Sequence, residues 1–275
     1  MADKKKKEQK RFIKKRSIIA ALLIALMWCF TIEPNVVVVN KYKVKDESLK
    51  GIKIVMAGDF HVKPYQAKRL DYVVEKINAQ NPDVVLLVGD YVNMHSDYMS
   101  YPIAKTAEKL SKIYARAGIY TVLGNHDYYK EGKKIKQALE EKGITVLENR
   151  CRKIDVGGKT FYIAGIEDLV TAFPNVDRAL KFAKEPTILL SHQPDVFPYL
   201  NNDKIHLTLS GHTHGGQVVI PFVGPLIVPS RFGTKYASGY FEEKGNKMIV
   251  TKGIGTSIMP IRFNCMPEIV VIEFE

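Results

Sequence analysis

Five apolar runs in this chain each lead directly into a short polar motif. In chain order the motifs are Asp59-x-His61, Gly89-Asp90, Gly124-Asn125-His126-Asp127, Ser191-His192 and Gly211-His212-Thr213-His214. The runs before them have the length and composition of buried strands, so the polar residues fall at strand ends. Because α/β proteins bind ligands at the carboxyl ends of their strands, this repetition restricts the chain to a fold in which those ends meet.

Each motif taken alone also has an ordinary structural interpretation. Asp59 fits a helix N-cap, Gly89-Asp90 fits a turn, and His192 fits a hydrogen-bonded core histidine. The chain has 7 His, and all but two of them, His95 and His206, lie in the motifs. That concentration favours a common site over a series of unrelated turns.

The remaining periodicity indicates a mixed α/β domain. Apolar spacing predicts helices over residues 66–79, 103–117 and 135–139. The second half is richer in strand signals, with a hairpin turn at Gly157-Gly158; the predicted strands are 145–147, 161–166, 187–190, 207–209, 218–220, 248–251 and 269–274. The pattern predicts two packed mixed sheets with helices outside, in one domain.

The N-terminal segment differs from the rest of the chain in charge and hydropathy. The 275-residue chain carries a net charge of +12, of which residues 1–16 contribute +7. The basicity is therefore mostly a tail, and it does not indicate a nucleic-acid surface on the folded body. An apolar segment at residues 18–32 follows without a small-x-small cleavage site, which predicts an uncleaved signal anchor. The predicted division is a tail and membrane anchor over residues 1–35 and a catalytic domain over residues 36–275.

The anchor has more than one possible arrangement. The apolar segment is shorter than the ~20 residues of a spanning helix, so it either extends into residues 12–13 or 36–39 or lies in the interface. The positive-inside rule keeps the Lys-rich end in the cytoplasm and predicts an extracytoplasmic domain. The alternative is a peripheral enzyme held to the cytoplasmic face. The 3 Cys imply no disulfide framework.

The candidate ligands are carboxylates, imidazoles and an amide, without a thiolate. This mixture suits Mn, Fe or Zn in a catalytic site. There are too many ligands for one ion, and a carboxylate such as Asp90 can bridge two cations. A metal pair of this kind activates water and clamps both oxygens of an in-line displacement at phosphorus.

The ordered set of motifs resembles the calcineurin-like metallophosphoesterases from residue 52 to residue 273. The resemblance implies a four-layer α/β/β/α sandwich with a dinuclear site, Mn being the favoured metal and Fe or Zn the alternatives. It implies that Asp59, His61 and His214 bind the first metal, that Asp90 bridges, and that Asn125, His192 and His212 bind the second. His126 corresponds to the catalytic histidine that is not a ligand.

Two further segments narrow the resemblance. Residues 211–217 and the glycine-rich segment beginning at Gly253 and ending at Glu268 are similar to the membrane-associated YaeI/YkuE-like branch, and the chain also resembles UDP-2,3-diacylglucosamine pyrophosphatase. The resemblance implies a phosphodiesterase or pyrophosphatase that attacks phosphorus with a metal-bound hydroxide. Its expected substrate is a lipid-linked or cell-envelope phosphate, with lipid A synthesis as one setting.

Substrate contacts and competing functions remain open at this stage. Asn93 occupies a position where the family's protein phosphatases carry an Asp that pairs with the catalytic histidine, which suits a good leaving group such as a pyrophosphate. Arg231 and Arg262 are candidates for holding a phosphate, and both also fit structural roles. Residues 221–229 form an apolar loop that fits either a groove wall or packed core. A phosphomonoesterase or protein phosphatase on the same site, and a non-catalytic scaffold, are the alternative functions.

Overall fold

The computed structural model describes residues 2–93 and 100–275, without the side chains of residues 2, 3 and 8. The predicted strand 187–190 is confirmed residue for residue, and the other predicted strands are confirmed to within a few residues. The strands are β1 (Val38–Val44), β2 (Lys53–Ala57), β3 (Val84–Leu87), β4 (Ile119–Thr121), β5 (Ile144–Val146), β6 (Arg150–Val156), β7 (Lys159–Gly165), β8 (Thr187–Leu190), β9 (Ile205–Ser210), β10 (Val219–Ile220), β11 (Gly224–Pro225), β12 (Gly239–Glu243), β13 (Asn246–Val250) and β14 (Glu268–Phe274).

Most strands form two mixed sheets. The first sheet has the order β1-β14-β2-β3-β4-β5, and β2 to β5 run parallel. The second has the order β12-β13-β9-β8-β7-β6, with β13, β9, β8 and β7 parallel. The hairpin predicted at Gly157-Gly158 joins β6 to β7. The prediction of two mixed sheets is confirmed.

The apolar runs are continuous because both faces of each sheet are covered. In β2, Ile54 and Met56 point into the layer between the two sheets, whereas Val55 and Ala57 point to the helices on the other face. Successive strand residues face opposite sides, so a strand buried on both sides has no solvent-facing position for a charged side chain. The polar residues are displaced to the strand ends.

The described α-helices are α1 (Ala2–Met27), α2 (Ala67–Asn78), α3 (Ile103–Leu110), α4 (Asn125–Glu140) and α5 (Val176–Leu180). All of them except α1 cover the sheets and complete a four-layer sandwich. Helices α2, α3 and α4 bury their apolar faces on the first sheet. Helix α5 and the 3₁₀ segment Pro194–Tyr199 cover the second sheet.

Two predicted helices have different bounds in the structure. Helix α3 ends at Leu110 instead of residue 117, because the Asn78 side chain accepts from the Tyr114 amide and donates to the Lys112 carbonyl, which holds this stretch as a turn. Helix α4 begins at Asn125 instead of residue 135. The Asp127 carboxylate accepts the Gly124 amide at 3.0 Å and caps the new start. The helix predicted over 66–79 is confirmed as α2.

The N-terminal helix stands apart from the sandwich. Helix α1 continues through a π-helical turn, Trp28–Ile32, and a 3₁₀ turn, Glu33–Asn35, before β1 begins at Val38. An extension of the apolar helix through residues 36–39 is therefore wrong. Of the described residues, one helical segment, Lys4–Asn35, is long and apolar enough to cross a membrane.

Candidate metal centre

The five motifs lie at one edge of the sandwich. The loops that follow β2, β3, β4, β8 and β9 meet there because these strands run parallel within each sheet. The chain reverses sharply at the candidate ligands, and five of them adopt the left-handed backbone region: Asp59, His61, Asp90, His212 and His214.

One group of candidate ligands contains Asp59, His61 and His214. Their ligand atoms all lie within 4.8 Å of one another. The Nε2 atoms of His61 and His214 face each other at 3.1 Å. This is the set that the resemblance implies for the first metal.

A second group forms around Asp90. Its Oδ2 atom lies 3.3 Å from His192 Nε2 and 3.4 Å from His61 Nε2. Asp90, His192 and His212 place their ligand atoms within 4.8 Å, and Asn125 Oδ1 lies 3.2 Å from His192 Nε2. Asp90 thus stands between the two groups, as a bridging carboxylate must.

Backbone groups hold the ligands in position. His61 Nδ1 pairs with the Val92 carbonyl at 3.1 Å, and His192 Nδ1 pairs with the Val88 carbonyl at 2.6 Å. A carbonyl can only accept, so in each ring Nδ1 carries a proton and Nε2 is the nitrogen that faces the site.

Asp127 is a positioning residue to which the sequence analysis assigned no role. It is fully buried, and its carboxylate accepts backbone N–H groups from Asp90, Tyr91 and Val92 in addition to Gly124. It therefore ties the loop that carries the bridging carboxylate to the start of α4. The available signal was an acidic residue three positions after the glycine of the motif, which is a helix-capping pattern.

Burial sets the protonation of most ligands. It lowers the pKa of His61 to about 3 and that of His212 to about 4, and it lowers the pKa of His214 well below its usual value. These imidazoles are neutral at pH 7, the form that binds metals. Burial also raises the pKa of Asp59 to about 7.

The Asp90–His192 pair behaves differently. Burial disfavours the charge on both groups, but their mutual attraction outweighs it: the pKa of Asp90 falls and that of His192 rises to about 10. His192 therefore holds a proton that a metal ion has to displace.

The donor set fits two divalent metal ions. Among the residues that the structure describes, oxygen and imidazole donors converge in three overlapping groups: Asp59, His61 and His214; His61, Asp90 and His126; and Asp90, His192 and His212. Within the described part of the chain, His214 Nδ1 is a buried nitrogen without a hydrogen-bond partner. Such groups are costly unless another ligand satisfies them. The set contains no thiolate, which sets it apart from structural zinc sites.

His126 and Asn93 lie beside the ligands. The His126 ring is 4.5 Å from that of His61, centroid to centroid, and its backbone N–H donates to Asp90 Oδ1 at 2.9 Å. Asn93 is buried at the end of the loop after β3. The structure brings His126 to the centre, whereas Asn93 follows Val92, whose carbonyl holds His61. The roles of both residues toward substrate stay predictions.

Arg262 does not face the site. It is 0% exposed. Its guanidinium donates to the carbonyls of Lys252, Gly253, Gly255 and Cys265. All its donors are engaged in holding the glycine-rich segment, so the prediction of a substrate contact is wrong.

Two cavities meet at His212. The first, about 440 Å³, reaches the candidate ligands at one end and apolar side chains from residues 218–229 and 257–261 at the other. The second, about 430 Å³, contains Tyr199 and the exposed Arg231. The loop 221–229 is largely exposed and contributes Leu226 and Ile227 to the first cavity wall, so its alternative as packed core is wrong.

A two-sheet sandwich with imidazole and carboxylate donors at one edge defines a metal-dependent phosphoesterase. The chain belongs to the calcineurin-like phosphoesterase family, whose sequence profile matches residues 52–216. It is similar to the metallophosphoesterase YkuE of Bacillus subtilis, with 30% identity over 253 residues that cover 89% of this chain and 87% of that protein.

Two other relatives extend the comparison. Phosphodiesterase YaeI of Escherichia coli is 31% identical over 226 residues, covering 80% of this chain and 81% of YaeI. A transmembrane protein with metallophosphoesterase domain from Danio rerio is 33% identical over 242 residues, covering 81% of this chain. The chain spans 53% of that protein, about half its length.

Proposed function

We propose that this metallophosphoesterase is a membrane-anchored phosphodiesterase or pyrophosphatase that acts on a lipid-linked phosphate. The observation that supports the proposal most directly is the first cavity. Metal-ligand candidates stand at one end of it, and Val218, Leu226, Ile227, Ile258 and Met259 line the rest. A phosphate held among the ligands therefore has an apolar channel beside it.

The cavity wall favours a substrate with an acyl chain. Burying apolar substrate surface gives about 25 cal/mol per Å², and the wall offers this gain within reach of the reacting phosphate. A small polar phosphomonoester would leave the apolar side chains in contact with water. The channel therefore favours a lipid-linked diester or pyrophosphate over the phosphomonoesterase alternative.

The residues of the metal centre have two roles, metal ligand and proton donor. One ion would be held by Asp59, His61 and His214. The other would be held by Asn125, His192 and His212, and Asp90 would contact both. The ions, when bound, neutralise phosphate charge and acidify water. His126 lines the cavity, and we assign to it the protonation of the leaving oxygen. Asn93 is the candidate for orienting His126.

Arg231 is the remaining candidate for a substrate contact. It lines the second cavity, which shares His212 and Pro229 with the first. A substrate spanning both cavities would have its lipid on the apolar side of His212 and its polar portion near Arg231. The guanidinium suits a second phosphate or another anionic group.

The anchor and the basic tail support a membrane location. The exposed apolar surface of α1 follows nine Lys or Arg in residues 1–16, and the positive-inside rule places the catalytic domain outside the cytoplasm. The domain on the cytoplasmic face is the alternative. Mn is the metal we favour, on the basis of a donor set that mixes oxygen and imidazole ligands and has no thiolate.

The test is hydrolysis of UDP-2,3-diacylglucosamine by the full chain with added Mn²⁺. The release of UMP is measured, and Asp90→Ala serves as the blank. Metal-dependent release supports the pyrophosphatase and favours a site reachable from the cytoplasmic leaflet. Cleavage of bis-p-nitrophenyl phosphate without UMP release would leave an envelope phosphodiesterase with an outward-facing domain. Failure to cleave either compound, with both metals bound, would contradict the proposal.

His126→Ala tests the assignment of the proton donor. We expect a loss of about 10²–10⁴-fold in kcat, the usual contribution of a general acid, with two metals still bound by elemental analysis. Unchanged turnover would remove His126 from the mechanism, and loss of metal would reassign it as a ligand.

A further inference from the structure

We infer that the mouth of the metal centre rests directly on the lipid bilayer, with the tip of the β10–β11 hairpin inserted in the leaflet beside α1. The inference rests on the proposed membrane anchor. Beyond the anchor itself, it specifies how the catalytic domain is oriented on the membrane and which surface contacts lipid. That surface, the apolar rim, consists of Phe222, Val223, Leu226, Ile227, Ile258 and Met259.

The sheet topology brings the anchor to the edge that carries the metal centre. Strand β14 is antiparallel to β2, with Val270 opposite Met56, so β14 begins near the end of β2 where Asp59 and His61 lie. Strand β1 is parallel to β14, with Val38 opposite Glu268. The chain therefore enters the sandwich from α1 at the active-site edge.

The anchor is fastened to the domain without a flexible linker. The Arg262 amide donates to the Cys29 carbonyl at 3.0 Å, within the last turns of the helix. The buried Glu33 carboxylate accepts from Trp28 Nε1 at 2.8 Å and from the Cys265 amide. Arg69 Nη1 donates to the Pro34 carbonyl at 2.7 Å. The domain consequently lies within one or two helical turns of the apolar segment.

The hairpin is attached to the same stretch of chain. The Val219 amide donates to the Phe263 carbonyl at 2.9 Å, and the Phe263 amide donates to the Gln217 carbonyl at 2.9 Å. Phe263 directly follows Arg262, the residue that contacts the anchor. The Gln217 amide group also donates to the Ser257 carbonyl at 3.2 Å and ties the loop with Ile258 and Met259 to the hairpin base.

The apolar rim is unusual for a surface in contact with water. Phe222 is fully exposed and has a φ of +67°, a conformation that costs free energy for a residue with a Cβ atom. Val223, Ile227 and Ile258 are each more than two-thirds exposed. A contiguous exposed apolar patch marks an interaction surface.

Continuity with α1 identifies the occupant as the bilayer. The exposed side chains of α1 just before the domain are themselves apolar, among them Leu22, Leu23, Ile24 and Leu26. If this helix spans the bilayer, the membrane surface must lie close to Trp28. The apolar rim is hydrogen-bonded to the same part of the chain and therefore lies at the height of that surface. An amphiphilic substrate can therefore pass from the leaflet into the first cavity without crossing water, because Leu226, Ile227, Ile258 and Met259 belong to both the rim and the cavity wall.

Depth-dependent quenching in liposomes tests the orientation. The full chain is reconstituted in phosphatidylcholine–phosphatidylglycerol vesicles as Phe222→Trp and, for comparison, as Tyr114→Trp. Tyr114 is also exposed but precedes β4 and so lies at the opposite edge. Trp28, the one native Trp, supplies the baseline. We expect doxyl-labelled lipids to quench the added emission of Phe222→Trp and aqueous acrylamide to quench that of Tyr114→Trp.

Equal acrylamide access for the two added indoles, with the baseline of Trp28 quenched by lipid, would overturn the inference and leave the anchor intact. The readout does not involve turnover, so it stays decisive if the proposed substrate is wrong. If Trp28 itself is not quenched by lipid, the anchor proposal fails and the inference falls with it.

A second experiment measures the contribution of the apolar rim to turnover. Phe222→Ser combined with Val223→Ser changes two rim residues that do not line the cavity. We expect unchanged hydrolysis of soluble bis-p-nitrophenyl phosphate. Hydrolysis of UDP-2,3-diacylglucosamine embedded in the vesicles should fall by at least about tenfold, the lower end for losing one buried large apolar side chain. Equal effects on the two substrates would contradict a docking role.

Discussion

Replacing Arg262 separates a structural arginine from a substrate-binding one. Arg262→Met keeps an unbranched apolar stem but removes the guanidinium, so the carbonyls of Lys252, Gly253, Gly255 and Cys265 lose their buried donor. Each buried polar group left unsatisfied costs about 1–3 kcal/mol. If three of these carbonyls each cost about 1 kcal/mol, the free energy of unfolding falls by about 3 kcal/mol. For a domain of this size, that loss lowers Tm by about 6–12 °C.

The assay compares Arg262→Met with Arg231→Met, an exposed arginine on the cavity rim. Tm is measured by calorimetry with metals present, and KM is measured on the same samples well below Tm. We expect Arg262→Met to lower Tm and leave KM unchanged. Arg231→Met should leave Tm unchanged and raise KM for a doubly anionic substrate, since an exposed side chain adds little to stability.

The opposite pattern would refute the reasoning. A wild-type Tm together with a tenfold higher KM in Arg262→Met would show that its guanidinium reaches the substrate. Arg262→Lys adds a further check, because Lys keeps the charge but cannot reproduce the fork of donors. It should therefore lose stability as well.

Two further predictions concern metal binding. The Asp90 carboxylate raises the pKa of His192 to about 10, and burial raises the pKa of Asp59 to about 7. Binding of Mn²⁺ at pH 7 should therefore release about one proton from His192 and part of a proton from Asp59, and the metal affinity should increase with pH up to the pKa of His192. Calorimetry in buffers of different ionisation enthalpy measures the release, and binding without proton release would contradict the prediction. Gly124→Ala should abolish binding of the second metal, since a Cβ there would lie 2.2 Å from Asp90 Oδ1 and 2.6 Å from His192 Cε1. Gly143→Ala, whose Cβ would meet nothing within 4 Å, should lose some stability through its positive φ and retain both metals by elemental analysis.

The strand ends were predictable from sequence because burial on both faces leaves polar residues no other position. The apolar runs alone located β2, β3, β8 and β9, and the motifs after them identified the residues that meet at one edge. The resemblance added the assignment of ligands to two metals, which spacing alone does not give.

The errors arose where a tertiary contact overrides local pattern. Asn78 stops α3 seven residues early through bonds to a segment more than 30 residues away. Arg262 carries the same charge as Arg231, and its burial depends on four carbonyls supplied by the fold. A C-terminal segment that resembles the family does not reveal whether its arginine points into a pocket or into the backbone.

The left-handed ligand residues give the enzyme a dependence on metal supply. Asp59, His61, Asp90, His212 and His214 all have positive φ, a conformation that costs roughly 1–2 kcal/mol per residue. The sum is comparable to the whole stability of an ordinary domain, about 5–15 kcal/mol. Bound metals return several kcal/mol by mass action. A cell short of metal would therefore lose this enzyme to proteolysis as well as to inactivity, so its abundance would follow the metal content of its compartment.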